Sequence, residues 1–328
     1  MKIAMFSARN YDTDHFTPRL KQVPLTFKYF DTQLNIHTAI LAKGYDAICA
    51  FVNDDLSEPV LTQLADIGIK TIAMRCAGYN NIDLTAAKRL NFNLVRVPAY
   101  SPEAVAEHSI ALLMTLNRRI HKAYQRTRDA NFALDGLVGF NLHGKTVGII
   151  GTGKIGIASM RIFKGFGCDI LAYDPYPSDQ AVELGAKYVE LDEIYEKSQI
   201  ITLHCPLTDA NKHLLDQQSF EKMQDGVMII NTSRGALLNA QDAIQALKIG
   251  RIGGLGLDVY EEEEHLFFSD HSSEIINDDT FRRLSACHNV IFTGHQAFLT
   301  HEALDSIAQT TIDNLLCIQT GKDSPNRI

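Results

Sequence analysis

Gly151, Gly153 and Gly156 stand at G-x-G-x-x-G spacing between the apolar run "TVGII" and a helical pattern beginning at Lys154. That order of strand, glycine turn and helix suits phosphate binding. The first glycine permits a tight turn, the second lets backbone approach a pyrophosphate, and the third lets the helix pack close to the strand with its N-terminal amides facing the anion. The next apolar run, "DILAYD", ends in Asp174. A carboxylate about 20 residues past the glycines accepts a ribose 2′-hydroxyl and repels a 2′-phosphate, which predicts NAD over NADP. Four later stretches also place polar residues directly after apolar runs: "HCPLT" (204–208), "NTSRG" (231–235), "LDVYE" (257–261) and "TGHQAF" (293–298). They supply His204, Asn231, Ser233, Arg234, Asp258, the run Glu261–Glu264 and His295 as candidates. A histidine beside a carboxylate is an acid–base pair near neutral pH, and arginine is a permanent planar fork for an anionic substrate.

Those residues need strands to end at one edge. Short β-branched runs alternate with amphipathic segments along nearly the whole chain of 328 residues, the pattern of parallel sheets with crossover helices. "KIAMFS", "TFKYF", "AICAFV", "KTIAMRC" and "FNLVRV" predict a doubly wound sheet of flavodoxin-like type. "PAYSPEAVAEHSIALLMTLNRRI" predicts a long connecting helix with Pro102 in its first turn and Glu103 at the positive end of its dipole. A second series follows: "TVGIIG", "DILAYD", "KYVE", "QIITLHC", "GVMIINTS", "GGLGLDVY" and "NVIFTG". The tail "HEALDSIAQTTIDNLLCI" is helical and too short to be a domain, so a return to the first sheet is one destination. The expected fold is α/β with two doubly wound parallel-sheet domains, a Rossmann NAD-binding domain (101–298) inserted into a flavodoxin-like catalytic domain (1–100 and 299–328).

Composition narrows the partners. A net charge of −8 argues against nucleic acid and anionic membranes, and the basic stretch "NRRIHKAYQRTR" reads as one charged outer helix face. No apolar run reaches the ~18 residues of a membrane span. The N-terminus reads as a first strand rather than a secretion signal. Six scattered cysteines without C-x-x-C spacing predict free thiols in a reducing compartment, the cytoplasm. His265 and His271 flank "LFFSD" but lack a third ligand at sensible spacing, so no metal is expected.

"GTGKIG", "NTSRGALL", "GLDVYEEE" and "GHQAF", with "RCAGYNNIDL" upstream, resemble the D-isomer-specific 2-hydroxyacid dehydrogenases over essentially the whole chain. "VPAYSPEAVAEH", "RTRDANF" and "FRRLSACHNVIFTGHQAFLT" resemble the bacterial fermentative D-lactate branch of that family. The resemblance implies reduction of pyruvate to D-lactate by NADH. It implies that Arg234 binds the substrate carboxylate, that His295 exchanges the substrate proton, and that Glu263, five residues after Asp258, pairs with His295. It further implies substrate contacts at the backbone of Ala77 and Gly78, and a small closed pocket bounded by Tyr100 and Phe298. The cofactor cleft is implied to include Gly151, Gly153, Lys154, Ile155, Gly156, Asp174, Cys205, Pro206, Asn211, Thr232, Ser233 and Arg234, with Asp258 on the nicotinamide side. Association through the dinucleotide-binding domain is implied too, giving a homo-oligomer, with a homotetramer and cooperative substrate binding as its fullest form.

Two other functions are compatible with these motifs: a dehydrogenase for a bulkier 2-hydroxy acid, and a non-catalytic NAD(H)-sensing scaffold. Among the histidines, His108, His121, His143, His213 and His301 carry no implied role, and His204 ends a strand at the cleft without one. Like-charged runs are ordinarily solvated. In extended geometry Glu261 and Glu263 would share a side, with Glu262 and Glu264 opposite, and only Glu263 is expected to do chemistry.

Overall fold

The structure, a computed structural model, describes residues 1–263 and 266–328. The chain divides into two compact units, Met1–Ser101 with Leu299–Ile328, and Pro102–Phe298. In the first, β1 (Lys2–Met5), α1 (Asn10–Leu20), β2 (Thr26–Tyr29), β3 (Ala47–Ala50), α2 (Glu58–Asp66), β4 (Thr71–Met74), α3 (Leu84–Arg89) and β5 (Asn93–Val95) follow one another. The strands form one parallel sheet in the order β2-β1-β3-β4-β5. Its central strands are uniformly buried because helices cover both faces, which explains their continuous rather than alternating apolar sequence.

The second unit opens with α4 (Pro102–Asn117) and α5 (Ile120–Arg128). It continues through β6 (Thr146–Ile150), α6 (Lys154–Gly165), β7 (Asp169–Tyr173), α7 (Asp179–Glu183), β8 (Lys187–Tyr188), α8 (Leu191–Lys197) and β9 (Ile200–Leu203). Then come α9 (Gln217–Lys222), β10 (Val227–Asn231), α10 (Ala240–Lys248), β11 (Ile252–Leu257), α11 (Asp279–Ser285) and β12 (Val290–Phe292). The strands form a seven-stranded parallel sheet, β12-β11-β10-β9-β6-β7-β8. Helix α4 is apolar on most of its circumference and packs on α6 and β11, the burial expected of a helix enclosed by neighbours. Each fully buried Ile, Leu or Val here contributes about 1.5–3 kcal/mol. The tail forms α12 (His301–Gln319), capped by the Thr300 side chain, and packs on α1 and β4 of the first unit.

Register does the positioning in the second unit. Ile150 pairs with Leu203, Leu203 with Asn231, Asn231 with Leu257, and Leu257 with Phe292. The next residue of each strand, Gly151, His204, Thr232, Asp258 or Thr293, therefore falls on one edge. The order reverses between β6 and β9, the topological switch point where open α/β sheets take ligands. Among the described residues, no helix is long and apolar enough to cross a membrane.

Candidate active site

Glycine chemistry shapes the phosphate end. Gly151 sits at φ +99°, and a Cβ there would lie 2.5 Å from the Cys205 amide nitrogen. A Cβ on Gly156 would strike the carbonyl oxygen of Gly151, so the first turn of α6 packs tightly against the strand. Gly153 instead faces open space, with nothing within 4 Å of an added Cβ. Lys154 and Ile155 begin α6 behind it. Asp174 accepts the amides of Thr152 at 2.7 Å and Tyr176 at 2.8 Å, and keeps acceptor capacity on both oxygens. Farther along the edge, His204 Nδ1 and Thr232 Oγ1 are buried without a partner among the described residues. A clear phosphate approach, an acceptor at the ribose position and two orphaned polar atoms fit a dinucleotide in this crevice.

The loop after β10 is organised by Asn231, whose side chain accepts the Ser233 amide at 3.0 Å and donates to the Arg234 carbonyl at 2.8 Å. Ser233 donates its hydroxyl to the Cys205 carbonyl, tying this loop to the one after β9. Arg234 spends one nitrogen on the Ser233 carbonyl at 2.7 Å. Asn211 closes the loop after β9, accepting the Thr208 amide and donating to the Pro206 carbonyl.

Asp258, fully buried at the end of β11, builds the acid–base centre without entering it. Its carboxylate accepts the Thr293 hydroxyl and the amides of Gln296 at 2.9 Å and Ala297 at 2.8 Å. Burial pushes its pKa up. The hydrogen bonds from His108, Thr293, Gln296 and Ala297 outweigh burial and hold it below the ordinary value. Its carbonyl accepts the His295 amide at 2.8 Å, and His295 adopts φ +52°, a left-handed conformation that this anchored loop imposes. The His295 ring then meets Glu263, with Nδ1 and Oε1 2.7 Å apart. Glu263 is itself fixed by the Tyr260 amide on its other oxygen, 2.9 Å away, and Phe268 lies against the His295 ring. Among the described residues Nε2 of His295 has no partner. The constellation is a carboxylate-oriented histidine presenting one free nitrogen.

A family model, D-isomer specific 2-hydroxyacid dehydrogenase, NAD binding domain, matches residues 110–297. The D-lactate dehydrogenase of Escherichia coli is 58% identical over the full length of both chains. The chain belongs to the D-isomer-specific 2-hydroxyacid dehydrogenases. It is an NAD-dependent oxidoreductase acting on the CH–OH group of D-2-hydroxy acids. Among solved structures, the apo-structure of the Escherichia coli D-lactate dehydrogenase matches it with TM-score 0.92 and 56% identity, covering 100% of both chains. A structure described as the pyruvate reductase of Chlamydomonas reinhardtii matches with TM-score 0.94 and 42% identity, covering 99% of this chain and 98% of that one. The two-sheet α/β fold expected from sequence is the fold of this dehydrogenase.

The remaining candidates lie as follows. Ala77 and Gly78 follow β4 in the first unit, where their carbonyls accept Arg96 and the Cys76 thiol, and Tyr100 is half-buried near that unit's end. Phe298 is buried at the end of the second unit. Asp258, for which the resemblance implied a nicotinamide contact, accepts the amides of Gln296 and Ala297.

Three residues dismissed from sequence are engaged. His108 on α4 lies 3.0 Å from the Thr293 hydroxyl and 3.3 Å from the Asp258 carboxylate. His213 Nε2 meets Glu261 Oε1 at 2.5 Å, so Glu261 is a half-buried paired carboxylate rather than a solvated charge. Both pairs join segments far apart in sequence, and no local pattern carries them. The expected alternation of the glutamates also fails in its premise. β11 ends at Leu257, and residues 260–263 form a turn in which the Glu263 amide donates to the Tyr260 carbonyl. Glu262 is exposed as expected, and Glu264 and His265 lie outside the described residues. All six cysteines are free, and the described residues hold no cluster suited to a metal.

Proposed function

We propose that this dehydrogenase reduces pyruvate to D-lactate, with His295 as proton donor and Arg234 as carboxylate anchor. The observation that carries the reading is the His295–Glu263 pair, 2.7 Å apart, held on a loop whose backbone is fixed by Asp258. The names of the Escherichia coli and Chlamydomonas relatives support lactate and pyruvate as the substrate pair. Bound NADH supplies the hydride to C2 of the keto acid. The Arg234 fork holds the substrate carboxylate and withdraws charge from the neighbouring carbonyl. His295, protonated and steadied by Glu263, gives its Nε2 proton to the carbonyl oxygen as C2 becomes tetrahedral. The products are D-lactate, NAD and neutral His295, which regains a proton from solvent. The second unit serves as the NAD-binding domain, and the first, with Ala77, Gly78 and Tyr100, as the substrate domain.

Free thiols throughout support a reducing, cytoplasmic setting. A homo-oligomer is supported by the arm after α4, where Tyr124, Phe132, Leu134 and Val138 are 59, 73, 78 and 88% exposed. An apolar row of that kind belongs against another surface. Sedimentation showing a monomer at micromolar concentration would oppose it.

The deciding assay follows NADH oxidation with pyruvate and resolves the product on a chiral column. D-lactate is the expected product. L-lactate, or a strong kcat/KM preference for larger 2-keto acids, overturns the assignment.

A further inference from the structure

Glu261 and Glu263 stand two residues apart, and each holds a different histidine: His213 for the first, His295 for the second. Only the second pair belongs to the proton-transfer reading. The first joins two pieces of the site that the sequence keeps separate.

On one side is the segment 205–214 after β9. Its start lies against the phosphate turn, since a Cβ on Gly151 would meet the Cys205 amide. Asn211 draws its middle into a closed loop. At His213 the backbone turns left-handed, φ +55°, and the His213 amide donates to the Ala236 carbonyl at 2.8 Å. Between Pro206 and His213, the imidazole of His213 is the side chain that hydrogen-bonds to another element among the described residues. On the other side, Glu261 lies inside the turn in which the Tyr260 amide fixes Glu263. Tyr260 is anchored by its hydroxyl on Asp278 and by edge contacts with Phe281 and Phe292. The same backbone abuts the Arg234 loop, because a Cβ on Gly235 would collide with the peptide between Tyr260 and Glu261. Glu261 thus stands on a rigid block that borders Arg234 and carries Glu263, and His213 is the strut from the cofactor loop to that block.

We propose that His213 and Glu261 are a positioning pair that holds the cofactor-contacting loop 205–214 in register with the acid–base cluster. The proposal rests on the reading of that loop as an NADH contact. A strut of this kind acts on cofactor affinity, while the chemical step, carried by groups the strut does not touch, proceeds at its usual rate once the cofactor is seated.

The test uses the full-length protein and direct NADH binding by fluorescence titration, alongside KM for NADH, kcat and thermal melting. His213→Leu and Glu261→Leu should each weaken NADH binding about tenfold, the loss of one charge-assisted hydrogen bond. Because the two act as a unit, the double variant should be no weaker than either single one, and kcat at saturating NADH should stay within about twofold. His213→Gln retains a donor on a comparable stem and should recover most of the affinity. If the leucine variants fail to fold, Glu261→Gln, which keeps the shape and loses the charge, should still raise the NADH dissociation constant. Additive losses overturn the proposal, as does a drop in melting temperature with unchanged NADH affinity, or a fall in kcat at unchanged affinity. Wild-type protein that binds NADH but ignores pyruvate would sink the substrate assignment and leave the affinity series decisive. Wild-type protein that binds no NADH would sink the cofactor reading and the pair's role with it.

Discussion

The five-stranded and the seven-stranded sheets both turn polar at the carboxyl ends of their strands, yet they dispose of those polar groups differently. In the first unit Arg75, which follows β4, is fully buried: Nε donates to Asp12 at 3.1 Å, Nη2 to the Ser7 carbonyl at 2.8 Å, and the guanidinium lies over the Phe51 ring. The Ser7 hydroxyl donates to Asp54, which also takes the amides of Leu34 and Phe51. These contacts hold loops together, while Arg75 Nη1 stays buried without a partner among the described residues. In the second unit Arg234 uses one nitrogen on its own loop, His295 keeps Nε2, and both remain half-buried. Position at a strand end is thus common to both arginines. What separates a reactive edge from a structural one is spare donor capacity that stays accessible: Arg75 Nη1 is unpartnered but sealed in the core, whereas Arg234 and His295 are half-buried.

The largest effects should separate the edges cleanly. His295→Ala should lower kcat by about 10³-fold or more, at all pH values, the scale of a lost general acid. NADH affinity and melting temperature should stay near wild type. An equal loss of stability would place His295 among the structural groups and erase the contrast. Arg75→Met should do the reverse, costing about 3–5 kcal/mol of folding free energy because Asp12 and Asp54 lose their buried counter-charge. Urea denaturation measures it, and a change under about 1 kcal/mol would mean that water already relaxes this network.

Glu263→Gln comes next, with a fall in turnover of about tenfold or more, since His295 loses the carboxylate that orients its ring. Glu262→Gln, on an exposed side chain, should leave turnover unchanged. A fall from Glu262→Gln and none from Glu263→Gln would reassign the partner.

This pair also shows how far the sequence was legible. The strand-ending runs and the glycine spacing are local patterns, and they marked the strands and the residues at their ends, while the switch point came only with the strand order. The choice of Glu263 within four identical neighbours came from the family's spacing. Local periodicity assumed an extended run where the chain turns at Tyr260–Glu263. His108 and His213 escaped because their partners lie 185 and 48 residues away, and only the tertiary fold brings them together. A buried counter-charge such as Asp12 for Arg75, 63 residues apart, is invisible for the same reason.

The smallest effect contrasts the two edges through acid response. Burial pushes His204, at the end of β9, down to about 4, with Nδ1 unpartnered and Nε2 on the Thr202 hydroxyl. The folded value lies below the unfolded one of about 6.5. Between the two, unfolding takes up a proton, so stability falls as pH drops from 6.5 toward 4, and the penalty is complete below that. At the structural edge burial raises Asp54 above its ordinary 3.8, so there folding takes up the proton and stability gains as pH falls toward 3.8. Melting curves between pH 7 and 4 should show His204→Gln gaining on wild type by about 3 °C as the pH falls, and Asp54→Asn losing ground over the same descent. Parallel curves for His204→Gln and wild type would mean that the imidazole is hydrated in the folded protein. Its unpartnered Nδ1 would then be answered by water rather than left for a ligand.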